Sequence, residues 1–192
     1  MNMKNQKKYE VEWLLEIHQK FCPMMQFEKV PIKNLDGLHI DKAFSTNHKG
    51  LIIGISLKRM EGTSLNHFPY EICQFKYLEK LILFGHGIRE IPDCISSLTE
   101  LKYLNLTCNK IYKLPESFSQ LKSLKFLSLD NNPIEGIPDC LRYLPLKHLY
   151  MNAMPQYRGV NVLNHLKLSD IEGEITEDKI RKRMASILPY IR

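Results

Sequence analysis

The sequence predicts an α/β solenoid: a right-handed coil of short parallel strands, one per repeat, closed by helices at both ends. Three observations carry this prediction. First, Leu101-Lys-Tyr-Leu104-Asn-Leu106, with Asn109 behind it, returns 23 residues later as Leu124-Lys-Phe-Leu127-Ser-Leu129 with Asn132. Leu78-Glu-Lys-Leu81-Ile-Leu83 stands one further period of 23 residues upstream. A fixed period of this length with apolar residues at i, i+3 and i+5 marks stacked copies of one supersecondary unit. Second, a proline motif recurs between these segments: Phe68-Pro69, Ile91-Pro92, Leu114-Pro115 and Ile137-Pro138. Third, the segments that flank the periodic region do not repeat.

The N-terminal flank, residues 1–48, places Tyr9, Trp13, Leu14, Ile17 and Phe21 at helical spacing before Cys22-Pro23 ends the pattern. It predicts a helical cap, because an open solenoid end exposes both core and an unpaired strand edge. Residues 27–48 stay ambiguous, with turns marked by Pro31, Asp36-Gly37 and Asn47. The repeats fill residues 49–159. Five parallel strands are expected, at 52–57, 78–83, 101–106, 124–129 and 146–151. The first repeat carries an insertion at 59–64 and the last opens at Pro145, departures expected of terminal repeats. Residues 160–192 form the C-terminal cap. There Thr176 is a good N-cap, Ile180, Met184, Ile187 and Leu188 make one apolar stripe, and Pro189 closes the helix.

The strand positions i, i+3 and i+5 point inward, and only stacked neighbours can bury them. Asn109 and Asn132 leave the strand at a turn where an inward amide can satisfy backbone groups of adjacent coils. His86 takes that place one repeat earlier, and Met60 and Met154 take it at the ends. Each motif proline is expected at the first position of a short helical turn. Asp93, Glu116 and Asp139 follow the prolines and read as first-turn acids rather than metal ligands.

The composition is that of a soluble globular chain, 44% hydrophobic and 25% charged over 192 residues, with a formal charge of +6. The basic N-terminus has no apolar stretch behind it, and no apolar run approaches a membrane span, so a cytoplasmic location is expected. The five cysteines form no CxxC pair. Cys94 and Cys140 share a repeat position two rungs apart, about 10 Å, too far for a disulfide. Reduced, mostly buried thiols are therefore expected. No histidine or cysteine spacing suits a metal, and no nucleophile is paired with a base. The expectation is no catalytic residues, no metal and no cofactor. Asn105-Leu-Thr107 is a glycosylation sequon by chance, placed mid-strand. Basic runs at 4–8 and 181–183 read as solvated faces. Nucleic-acid or anionic-surface binding through them is the lesser alternative.

The pattern LxxLxLxxNxIxxLPxxI, carried from Leu78 to Leu141, resembles the leucine-rich repeat family, in particular its intracellular 23-residue type. The resemblance implies a horseshoe whose concave sheet binds proteins and which has no shared active site. The non-leucine strand positions line that face. Ile82, Phe84, Tyr103, Phe126 and Tyr150 make an apolar cluster large enough to mark a contact surface. Asn105, Ser128, Asp130, His148 and Asn152 give it a polar surround. These ten residues are the expected partner-binding set. The function expected is a non-enzymatic adaptor or scaffold holding a partner protein, as monomer or homodimer. Two alternatives stand beside it: self-association through the same rings, and cover of the rings by another part of the chain.

Overall fold

A computed structural model describes residues 3–21, 27–35, 42–59, 64–134, 138–142 and 144–151. Helix α1 (Met3–Phe21) precedes a single seven-stranded sheet. Its strands are β1 (Glu28–Lys29), β2 (Lys42–Thr46), β3 (Ile52–Lys58), β4 (Lys80–Phe84), β5 (Tyr103–Asn105), β6 (Phe126–Ser128) and β7 (His148–Tyr150). They lie side by side in chain order. From β3 to β7 every neighbouring pair is parallel, and Ile55, Leu81, Leu104, Leu127 and Leu149 fall in one register column. The stacking inferred from the 23-residue period is thus met rung by rung. These five residues are buried, at 4% exposure or less, in one continuous core with Phe68, Ile91 and Leu114 of the proline motifs.

Where the sequence left residues 27–48 ambiguous, two further strands extend the sheet. β2 runs antiparallel to β3. The turn between them is specified locally. Asn47 Oδ1 accepts the N–H groups of Lys49 and Leu51, and Gly50 takes φ +77°, a conformation open to glycine at no steric cost.

Helix α1 docks through a face rotated from the expected stripe. Leu14 and Ile17 are buried, Trp13 meets Phe75 edge-on at 5.8 Å, and Tyr9 is exposed. Glu10 is buried with Leu14 and Ile17, at 1% exposure, although it is a charged residue. The reason is backbone chemistry. Glu10 Oε2 accepts the N–H of Ile52 at 2.7 Å, and its Oε1 accepts from Gln6 at 3.1 Å. A buried N–H at the start of β3 would otherwise lack a partner.

Each coil returns through a 3-10 turn: Tyr70–Gln74, Asp93–Ser97, Glu116–Gln120 and Asp139–Leu141. The prolines sit one position earlier than expected, just before each turn. Their carbonyls accept the closing N–H of Ile72, Ile95, Phe118 and Leu141 at 3.0–3.1 Å, a role for which a proline's missing N–H is irrelevant. The acids start the turns: Asp93 accepts from Ser117 Oγ of the next coil, and Asp139 pairs with Arg142 at the end of its own turn.

The thiol expectation fails at one pair. Cys73 and Cys94 form a disulfide between adjacent convex turns, with Cα atoms 5.8 Å apart. The repeat alignment offers only equivalent positions for comparison, whereas this bond is diagonal: Cys73 lies two places beyond the equivalent of Cys94. Cys108 and Cys140 are free, and burial pushes the Cys140 thiol up to about 12, so it stays protonated. The expected C-terminal cap, with Asn152 and Met154, lies outside the described residues.

Candidate functional site

Strand alternation sends every second side chain away from the core, and the register places those side chains in columns. One column runs Gly54, Lys80, Tyr103, Phe126, His148; the next runs Ser56, Ile82, Asn105, Ser128, Tyr150. Tyr103 and Phe126 stack with centroids 4.1 Å apart and planes 7° from parallel. Phe126 also meets Tyr150 at 5.2 Å and His148 at 6.2 Å. Lys80 Nζ lies 4.6 Å from the Tyr103 centroid, a cation over the ring face. Phe84 is 38% exposed at the far end of β4. Seven of the ten expected residues, Phe84, Tyr103, Asn105, Phe126, Asp130, His148 and Tyr150, therefore remain exposed or half-buried on one face.

Ile82 does not. It is 1% exposed, so its placement on an open surface is corrected. Residues 27–35 fold across the first strands, where Val30 and Leu35 join Ala43 and Ile82 in a second small core, with Ile32 and Tyr103 packed at its border. Fully burying an aliphatic side chain stabilises by about 1.5–3 kcal/mol, so this cover is firmly held. A signal for it existed in the sequence. Gly54 is the one residue without a side chain in a column otherwise filled by Lys, Tyr, Phe and His. A Cβ there would overlap Leu35 Cδ1 and lie 3.3 Å from Ser45 Cβ.

Ser128 also leaves the accessible set, at 4% exposure; its hydroxyl shares a 2.6 Å hydrogen bond with Thr107 Oγ1. Asn105 is half-buried, and its Oδ1 accepts the N–H of Thr107 at 2.9 Å. Both serve the sheet's own surface network. Asp130 stays half-buried, with its carbonyl accepting from the Cys108 N–H.

Beneath this face runs the amide ladder. Asn109 Nδ2 donates to the carbonyls of Leu83 and Leu106 at 2.8 Å, and its Oδ1 accepts from the N–H groups of His86 and Ile88. Asn132 repeats this one rung on, donating to Leu106 and Leu129 and accepting from Ile111. His86 makes a third rung: its Nε2 donates to the Leu57 carbonyl at 3.1 Å, the bond an asparagine would make there. Its Nδ1 is buried without a partner. Burial, helped by the nearby positive charges of Arg59 and Lys42 and opposed by the Leu57 bond, lowers the ring's pKa from 6.5 to about 4. The ring is neutral at ordinary pH, and that neutrality is why Nδ1 can remain unpaired. These groups hold the coils together and are not sites. Among the described residues no three His, Cys, Asp or Glu side chains are grouped to hold a metal ion, and no helix is long and apolar enough to cross a membrane.

Residues 74–134 match the family model described as leucine rich repeat. An LRR protein from Leptospira interrogans is 26% identical with a TM-score of 0.50, over 66% of this chain and 35% of that one. This chain thus spans about a third of the length of the Leptospira protein. The LRR ectodomain of a receptor kinase from Arabidopsis thaliana has a TM-score of 0.55 at 20% identity, over 73% of this chain and 76% of that one. The latter likeness is one of fold. The register of the strands, the amide ladder and these matches agree, and residues 74–134 of this chain carry leucine-rich repeats.

Proposed function

We propose that this chain is a non-enzymatic interaction module that holds a partner protein against the β5–β7 end of its concave sheet. The observation that carries the reading is the run of partly exposed rings, Tyr103, Phe126 and Tyr150, beyond the cover laid down by residues 27–35. Aromatic side chains supply large contact area at low entropic cost and concentrate at interface centres. The test is Phe126→Ser with Tyr150→Ser, compared with wild type by cross-linking in native lysate and by thermal melting. Loss of one specific cross-linked protein with an unchanged melt supports the reading. A melt lowered by about 10 °C would make the rings part of the core. Conversion of a dimer to a monomer on mutation would give the surface to a second copy instead.

A cytoplasmic adaptor or scaffold is the fuller form of this reading. It requires Cys73 and Cys94 to be reduced in the cell, because disulfides persist in oxidising compartments. Thiol trapping in intact cells decides between the two.

A further inference from the structure

Resting on that reading, we infer that the partner segment is an acidic peptide, drawn by a lysine column beside the rings. Glu79, Lys102, Lys125 and Lys147 each precede a concave strand residue and lie in register. The Glu79 carbonyl accepts from Lys102, Lys102 from Lys125, and Lys125 from Lys147, at 2.8–2.9 Å. Neighbouring rungs are about 4.8 Å apart. Lys102 is answered by Glu79, its Nζ 2.9 Å from Oε2. Lys125 and Lys147 follow on the next two rungs, exposed and without an ion pair among the described residues. Like charges on adjacent strands repel, so this column costs stability that a bound carboxylate would return.

The rings add to the same field. Tyr103 and Phe126 stack face to face, with Lys80 over Tyr103, so the outer surface receives ring edges rather than faces. Ring edges carry the positive end of the quadrupole. Across the concave columns and this rim, the described residues hold six basic groups (Lys58, Arg59, Lys80, Lys102, Lys125, Lys147) against Glu79 and Asp130. Among the described residues, the end that the 27–35 segment leaves uncovered, β5–β7, is the end where Lys125 and Lys147 stand. Acidic protein is favoured over single-stranded nucleic acid because base recognition uses open ring faces as stacking platforms. Here the Tyr103–Phe126 faces are taken by each other and by Lys80.

The test is fluorescence anisotropy with the full chain and three labelled probes. Two are degenerate peptide pools with alternate positions fixed as Asp/Glu or as Asn/Gln, and the third is oligo(dT). The acidic pool should bind at least about tenfold more tightly than the amide pool and weaken with salt. Lys125→Glu/Lys147→Glu should cost about tenfold or more, while Lys110→Glu/Lys113→Glu, outside these columns, should not. Lys125→Ala/Lys147→Ala serves if the reversed charges impair folding. Equal binding of the amide pool, tighter binding of oligo(dT), no binding of any pool, or indifference to the Lys125/Lys147 variants overturns the inference. If the amide pool binds and Phe126→Ser abolishes that binding, the acidic inference falls while the concave reading survives. If acidic binding ignores both Phe126→Ser and the lysine variants, both fall.

Discussion

Replacing His86 by asparagine should make the protein more resistant to acid. The folded ring resists protonation until about pH 4, whereas an unfolded histidine takes up a proton near 6.5. Between those values the unfolded state binds more protons, so stability falls as pH falls. The contribution is fully present above about 6.5 and lost by about 4, and the whole gap is worth ~3 kcal/mol. At about pH 5 the loss is already ~2 kcal/mol. Asparagine is chosen because Asn109 and Asn132, on the next two rungs, show an amide making the equivalent donation, from Asn109 to the Leu83 carbonyl and from Asn132 to that of Leu106. The variant should therefore keep the Leu57 bond while removing the titrating group. The assay is urea denaturation of both proteins at about pH 7.5 and 5. Because every other acid and base is common to the two, their titration cancels in the difference. The gap between wild type and His86→Asn should shift by ~2 kcal/mol in favour of the variant on acidification. A shift below about 0.5 kcal/mol, or an NMR titration of the His86 ring with a midpoint near 6.5, would refute the argument.

Three further outcomes follow from the fold. Asn109→Ala strands the N–H groups of His86 and Ile88 and the carbonyls it served, so a loss of about 3–5 kcal/mol is expected in urea melts. Leu35→Ala should cost about 2–4 kcal/mol and speed hydrogen exchange in β2, since Leu35 is wholly buried over Gly54; unchanged exchange would mean that the cover is not seated as described. Cys73→Ser/Cys94→Ser, or reduction, should remove about 3 kcal/mol by freeing a 21-residue separation in the unfolded chain, and titratable thiols should rise by two on reduction.

Some of this was legible because it repeats. The inward leucines, the strand positions and the columns of the concave face follow from a period that allows one arrangement: stacked coils sharing one dry interior. Tyr103, Phe126, His148 and Tyr150 could be placed on one face before any coordinates, since strand alternation and register suffice. The amide role of Asn109 and Asn132 followed too, and His86 was visible as their substitute. What the repeat could not supply was anything made once. The strand formed by Lys42–Thr46, the flap that buries Ile82 and the diagonal Cys73–Cys94 bond each join a non-repeating position to a partner that no period indicates.

Glu10 shows the physical reason in a single residue. By sequence it is one more charge on the N-terminal helix; in the fold it is the acceptor for the Ile52 N–H, 42 positions away. Local sequence determines which side chains prefer the interior and how often they recur. Which buried donors lack acceptors, and which surfaces end up covered, depends on distant segments meeting, and only the tertiary structure decided that here. The sequence alone established a leucine-rich coil with a ring-lined face. Among the described residues, the three-dimensional fold covers the first half of that face with residues 27–35 and lays no such cover over the β5–β7 half, where the lysines stand.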